Sequence, residues 1–223
     1  MNDPRVSAQA EPDGLPGEAS SDWPRGAFLR ADESRDAEFY RLPRFVHHID
    51  PGAVQALSRL YRRILPPDGA LLDLMSSWVS HLPDDIAYRR IAGLGMNAEE
   101  LAGNPRLTDW TVQDLNREPY LPYPAGSFDA AVIAVSVQYL VRPVEVFAEI
   151  GRVLTSGGPL VVSFSNRCFP TKAVAAWRVL DDRGRIDLVR RYFTRSGAWR
   201  DVTVLDGSSG DGDPLFVVTG RRI

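Results

Sequence analysis

The chain has one cysteine, Cys168, in 223 residues. That excludes an internal disulfide and any zinc site built from several thiolates, and no metal is expected. No apolar run approaches the ~20 residues that a membrane-spanning helix needs. The start of the chain has no basic-then-apolar leader pattern, so the cytoplasm is the expected compartment and no membrane partner is expected. A surplus of one charge sign is also lacking: 26 Lys and Arg stand against 29 Asp and Glu, a net charge of −3. Nucleic acid is therefore not an expected partner. Short basic pairs such as Arg62–Arg63, Arg89–Arg90 and Arg190–Arg191 are interleaved with apolar residues and read as solvated faces.

The most informative lack is local. Residues 71–81, LLDLMSSWVSH, begin like the first strand and turn of a nucleotide-binding α/β domain. At that turn glycines usually let the backbone approach a ligand closely; Met75, Ser76, Ser77 and Trp78 stand there instead. The pattern G-x-G-x-x-G follows no strand anywhere, which argues against a nicotinamide-dependent oxidoreductase.

What is present is an ordinary globular composition, 44% hydrophobic and 25% charged, with enough length for one large core. Residues 1–27, rich in Pro, Gly, Ser and acids, read as a disordered tail. Residues 28–68 read as a helical N-terminal cap: Asp50 is placed to cap a helix with Pro51 at its first position, and Val54, Leu57, Leu60, Tyr61 and Leu65 repeat at helical spacing. Beyond them strand candidates Ala70–Leu74, Arg89–Leu94, Thr108–Val112, Phe128–Val135 and Leu160–Phe164 alternate with helical stretches Ala98–Gly103 and Val144–Leu154. Ile186–Ser196 then reads as a helix, and Asp201–Leu205 and Pro214–Thr219 as strands joined without one. The expectation is a three-layer α/β sandwich around a seven-stranded, mostly parallel sheet whose last strand is antiparallel.

In such a sheet a ligand sits beyond the carboxyl ends of the strands. That rule nominates Asp73, Met75, Ser76 and Ser77 after the first strand, and Gly95, Met96 and Asn97 after the second. It nominates Asp114 after the third, Ser136, Gln138 and Tyr139 after the fourth, and Ser165, Asn166, Arg167 and Cys168 after the fifth. Met75 and Trp78 read as pocket wall or core, Cys168 as a small buried thiol, and Glu145, Glu149 and Arg152 as a solvated helix face. His81, close to Pro83, reads as part of a short distorted helix.

From Gly69 to Thr219 the sequence resembles the class I S-adenosylmethionine-dependent methyltransferases of the small-molecule, type 11-like group. Four ordered blocks carry the resemblance: LLDLMSSW, IAGLGMNAEEL, WTVQDLNREPYLPYPAGSFDAAVIAVSVQYL and VEVFAEIGRVLTSGGPLVVSFSNR. It implies residues 69–223 as the methyltransferase domain, S-adenosylmethionine as cofactor and a small molecule as acceptor. Carried over, Asp73–Ser77 would face the methionine part, Met96 and Asn97 the ribose and adenine, Asp114 and Leu115 the adenine edge, and Ser136 the sulfonium. Gly95 stands where the family carries an acid that holds the ribose hydroxyls. Ser76, Ser77 and Asn97 are expected to compensate with their side chains, and Gly95 with close backbone approach. His47, His48, Gln138, Tyr139, Asn166 and Arg167 are candidates for the substrate side, Arg167 implying an anionic substrate. No catalytic residue is nominated, because in-line methyl transfer to a good nucleophile requires mainly orientation. A silent ligand-binding or regulatory protein on the same fold is the alternative, and the sequence leaves the acceptor and the oligomeric state open.

Overall fold

The computed structural model describes residues 23–208, 210 and 212–223; of the tail expected over residues 1–27, residues 1–22 lie outside them. Seven strands form one sheet: β1 (Ala70–Ser76), β2 (Arg90–Gly95), β3 (Asp109–Val112), β4 (Ala130–Ala134), β5 (Pro159–Phe164), β6 (Trp199–Asp206) and β7 (Phe216–Arg222). Their order is β3-β2-β1-β4-β5-β7-β6. β1 to β5 are mutually parallel, and β7 runs antiparallel to both β5 and β6. The chain moves outward from β1 through β2 to β3 and then returns to β4 on the other side of β1. The crevice between β1 and β4 is therefore the topological switch point.

Among the described residues six α-helices accompany the sheet: α1 (Asp36–Phe39), α2 (Pro51–Ile64), α3 (Ala98–Ala102), α4 (Pro143–Val153), α5 (Ala175–Val179) and α6 (Asp182–Ser196). Local chemistry fixes their ends. Asp50 accepts from the Ala53 N–H with Pro51 at the first position of α2, and Gly197, at φ 69°, takes the left-handed conformation that ends α6. The central strands are buried on both faces, which is why they read as near-continuous apolar runs. Leu71, Ile91, Val132 and Val161 face Leu57 and Tyr61 of α2. Leu72, Leu74, Ile133 and Val162 face Phe147 of α4 and Val189 and Phe193 of α6.

The N-terminal part departs from expectation in two ways. The tail reading fails at Trp23: its ring lies edge-on to Phe28 at 5.3 Å and against Tyr192 of α6 at 5.9 Å. Ala27 and Leu29 then accept backbone hydrogen bonds from Ala176 and Ala175. One aromatic side chain with a place to bury outweighs the polar composition around it. The reading of 28–68 as helical is also corrected, since α2 forms but only the four-residue α1 interrupts an otherwise irregular path from 28 to 50. Between β1 and β2 there is no helix at all, so the short helix expected around His81 is absent; residues 77–89 form an irregular loop.

Candidate functional site

A cavity of about 120 Å³ opens at the carboxyl ends of β1, β2, β3 and β4. Asp73, Met75, Ser76 and Ser77 line it from β1; Gly95, Met96 and Asn97 from β2; Asp114 and Leu115 from the loop after β3; Ser136 from beyond β4. His48 and Tyr139 also line it. The other substrate-side candidates do not. The His47 ring packs on Trp78 at 4.9 Å and near His81 at 6.2 Å. Gln138 is buried and turns its amide to the Val135 carbonyl. Asn166 is exposed, and Arg167, 65% exposed, leans toward Asp213 at 3.8 Å. Nothing ties Arg167 to an anionic substrate.

The first turn solves its problem differently from the sequence expectation. Asp73 is 2% exposed, and a carboxylate so buried needs donors. Ser76 Oγ and Ser80 Oγ donate to its Oδ2 at 2.7 and 2.6 Å. Burial still pushes its pKa up to about 6 against those hydroxyls. Ser77 Oγ donates to Glu100 at 2.5 Å. Asn97 caps α3 through Oδ1 and donates through Nδ2 to the Tyr40 and Arg41 carbonyls. The three side chains expected to compensate toward a ligand are thus spent within the protein.

The missing acid has a steric cause. β1 continues past a bulge between Leu74 and Ser76, and Ser76 pairs with Gly95. A Cβ at Gly95 would lie 2.2 Å from the Ser76 carbonyl oxygen, so only glycine fits there. Met75, at the bulge, takes φ 56°, a left-handed conformation costing about 1–2 kcal/mol for a residue with a side chain. What remains open is the backbone. Among the described residues none of the N–H groups of 77–82 has an acceptor, and Ser77, Trp78, Val79 and His81 line the cavity.

Other features of the wall point the same way. Of five described non-glycine residues with positive φ, three line the cavity: Met75, His81 and the β-branched Val135 at φ 45°. Such strain collects where a site dictates the backbone. Ser136 Oγ and His81 Nδ1 are buried without a partner and belong to wall residues. Burial holds the His81 imidazole down to about 4 and lowers that of His48. Asp114, a wall residue, receives the Asn116 N–H on Oδ1 at 3.0 Å, which caps its turn.

The roof comes from residues 36–48, and sequence reasoning missed most of it. Asp36, Tyr40, Arg44, Glu100, Asn116 and Phe169 all line the cavity. Asp36, 5% exposed, takes both oxygens to Arg30 at 2.6 and 2.8 Å, receives Asn116 Nδ2 at 2.8 Å and faces Lys172 Nζ at 3.2 Å. Lys172 is fully buried and donates to the Ser34 carbonyl at 2.7 Å. Glu100 accepts the Arg44 N–H at 2.7 Å, and Trp78 Nε1 donates to the Val46 carbonyl at 3.0 Å. The signal available in sequence was a lone lysine beyond the fifth strand and an acid-rich stretch ahead of the cap, which only the fold brings together. The solvated-face reading of Glu149 and Arg152 also gives way: their ion pair donates on to the Leu121 and Tyr123 carbonyls and ties the loop before β4 to α4.

Residues 87–162 match a family model described as a methyltransferase domain. No curated protein matches the chain. Among solved structures, a [4+2]-cyclase, SpnF, is similar at TM-score 0.59 and 17% identity, over 83% of this chain and 91% of that one. The PH0226 protein from Pyrococcus horikoshii OT3 is similar at TM-score 0.59 and 15% identity, over 83% of this chain and 99% of that one. A geranyl diphosphate C-methyltransferase from Streptomyces coelicolor A3(2), solved with Mg2+, geranyl diphosphate and S-adenosyl-L-homocysteine, is similar at TM-score 0.54 and 15% identity, over 84% and 97% of the respective chains. At these identities the likeness establishes the Rossmann-like methyltransferase fold.

Proposed function

We propose that this chain, which has the S-adenosylmethionine-dependent methyltransferase fold and a methyltransferase-domain match over residues 87–162, is an S-adenosylmethionine-dependent methyltransferase acting on a small-molecule acceptor. One observation carries the reading. A cavity at the switch point is walled by residues whose polar atoms have no partner among the described residues: the amides of Ser77, Trp78, Val79 and His81, with Ser136 Oγ and His81 Nδ1. Buried polar groups are otherwise almost always paired, so this set fits a polar ligand of several functional groups. In this reading residues 69–223 form the catalytic domain and residues 23–68 its cover.

Asp114 Oδ2 would accept from the adenine amine, with Leu115 against the ring. Gly95 and Met96 would bring backbone to the ribose. The amides of Ser77, Trp78, Val79 and His81 would bind the amino-acid carboxylate, the work that glycine turns do elsewhere. S-adenosylmethionine, when bound, supplies an electrophilic methyl group on a sulfonium. The chain's own contribution is to orient the acceptor and to exclude water beneath the cover.

Calorimetric titration with S-adenosylhomocysteine tests the reading. The expectation is micromolar-range affinity, on the order of −8 kcal/mol, that weakens at least tenfold in Asp114→Ala, since a hydrogen bond to a charged group is worth about 1.5–3 kcal/mol. No binding at millimolar ligand refutes it. The internal use of Ser76, Ser77 and Asn97 favours a second reading, ligand binding without methyl transfer. Tight binding with no transfer to any acceptor of a broad panel would select that one.

A further inference from the structure

We propose that a groove beside the cofactor cavity is a second binding site, which takes a phosphate-bearing ligand on the guanidinium groups of Arg25, Arg35 and Arg117. The groove is open to solvent and encloses about 820 Å³. Asp36, Asp114 and Asn116 line both it and the cavity, and so form the partition between the two spaces. The N-terminal cover contributes residues 23–30 and 33–36 to the groove, and the loop after β3 contributes Arg117. The site stands independently of the methyltransferase reading.

Internal pairing decides which charges a ligand meets. Four arginines line the groove, Arg25, Arg30, Arg35 and Arg117, with three acids, Glu33, Asp36 and Asp114. Arg30 donates through Nη1 to both oxygens of Asp36, at 2.6 and 2.8 Å. Its backbone N–H meets Glu33 at 2.6 Å and its Nε lies 3.6 Å from the same carboxylate. Lys172 adds a second cation to Asp36 at 3.2 Å. Glu33 and Asp36 are thereby neutralised, and Asp114 is left as the one acid of the groove without a cationic partner. Arg25, Arg35 and Arg117 are exposed, and none of their guanidinium groups has a hydrogen bond or ion pair among the described residues. Arg191 and Arg195 of α6 add positive charge at the edge, over the ring of the groove residue Trp23 at 5.9 and 5.7 Å. Other exposed arginines, such as Arg62, Arg90 and Arg142, each hold a carboxylate.

The number of free forks selects the ligand class. A carboxylate has one charge and two oxygens, enough for a single guanidinium. A phosphate ester brings about two charges and three strong acceptor oxygens, which several guanidinium groups can share. Each contact is solvated and weak alone, so affinity comes from the number of guanidinium groups in one groove. Arg25 and Arg35 belong to the cover and Arg117 to the loop that carries Asp114. A phosphate held by both therefore staples the cover to the sheet domain beside the partition.

The full chain, without S-adenosylhomocysteine, is titrated calorimetrically with pyrophosphate and with acetate. The salt concentration is about 0.1 M, where long-range attraction between exposed charges is largely screened. Pyrophosphate is expected to bind in the submillimolar range and acetate at least tenfold more weakly. Arg35→Gln with Arg117→Gln is expected to weaken pyrophosphate about tenfold or more and to leave the Tm of the unliganded protein unchanged. Arg59→Gln with Arg63→Gln removes the same charge from exposed positions on α2 and is expected to change the affinity less than about twofold. No pyrophosphate binding, equal binding of acetate, or equal loss in the two double variants overturns the site. Pyrophosphate should also slow protease cleavage within residues 30–50 of the wild type and not of the Arg35 and Arg117 double variant. Unchanged cleavage of the wild type overturns the stapling of the cover. Failure of the separate S-adenosylhomocysteine titration would refute the cofactor reading and leave these outcomes as they stand.

Discussion

At the scale of single residues, Asp73 and His81 give opposing pH dependences over nearly the same range. Asp73 titrates higher in the folded state, at about 6, than in the unfolded chain. The folded state therefore binds the extra proton, and this residue's contribution to stability falls as pH rises through that value. His81 titrates lower in the folded state, at about 4; its contribution is present above the ordinary imidazole range and is lost as pH falls toward 4. Asp73→Asn is expected to remove the first effect and leave the second, so that urea-unfolding free energies decline more steeply between pH 6.5 and 4 than in wild type. An unchanged slope would mean that Asp73 is ionised throughout. Gly95→Asp restores the acid that the family carries, yet the Cβ would lie 2.2 Å from the Ser76 carbonyl. It is expected to destabilise by about 2 kcal/mol or more, by the mechanism of overpacking, and to weaken S-adenosylhomocysteine binding rather than improve it. Thermal denaturation and titration of the variant check both.

Among the elements, the segment from 30 to 48 behaves as a roof held by one buried charge cluster. Asp36 serves Arg30, Asn116 and Lys172 at once. Asp36→Ala leaves a fully buried ammonium without that carboxylate, a loss expected to cost about 3–5 kcal/mol, read by chemical denaturation. Limited proteolysis of the variant should cut first between 30 and 50, with the sheet domain outlasting the cover. The seven strands and the long helices were legible in the sequence because period and punctuation are local properties. Asp50 and Pro51 announce α2, and the two-faced burial of β1, β2, β4 and β5 writes itself as apolar runs. The roof was illegible for the opposite reason: nothing near Asp36 or Tyr40 in sequence indicates that Lys172 and Asn97 will meet them. The same holds inside the turn. The serines were visible as donors, but their acceptors, Asp73 and Glu100, were fixed only once β1 ran on through its bulge into register with Gly95.

For the whole molecule, the cavity lies between a sheet floor and an N-terminal roof, so ligand binding and docking of the roof should reinforce each other. S-adenosylhomocysteine at a hundred times its dissociation constant is expected to stabilise the folded state by about 2.7 kcal/mol. It should also slow cleavage within residues 30–50 more than cleavage elsewhere. Thermal shift and protease time courses report the two quantities, and protection confined to the sheet domain would show that the roof moves independently of the site.

The long reach of Lys172 also has a consequence for how the chain is made. Its partners Asp32 and Ser34 lie 140 and 138 residues ahead of it, so the segment synthesised early waits for a partner synthesised late. Closing so long a loop is entropically slow, and β1 to β5 are complete before Lys172 leaves the ribosome. The nascent protein is therefore expected to pass through a stage in which β1 to β5 have emerged, β6 and β7 have not, and the cofactor crevice stands uncovered. A ligand present at that stage can enter before the roof closes over it.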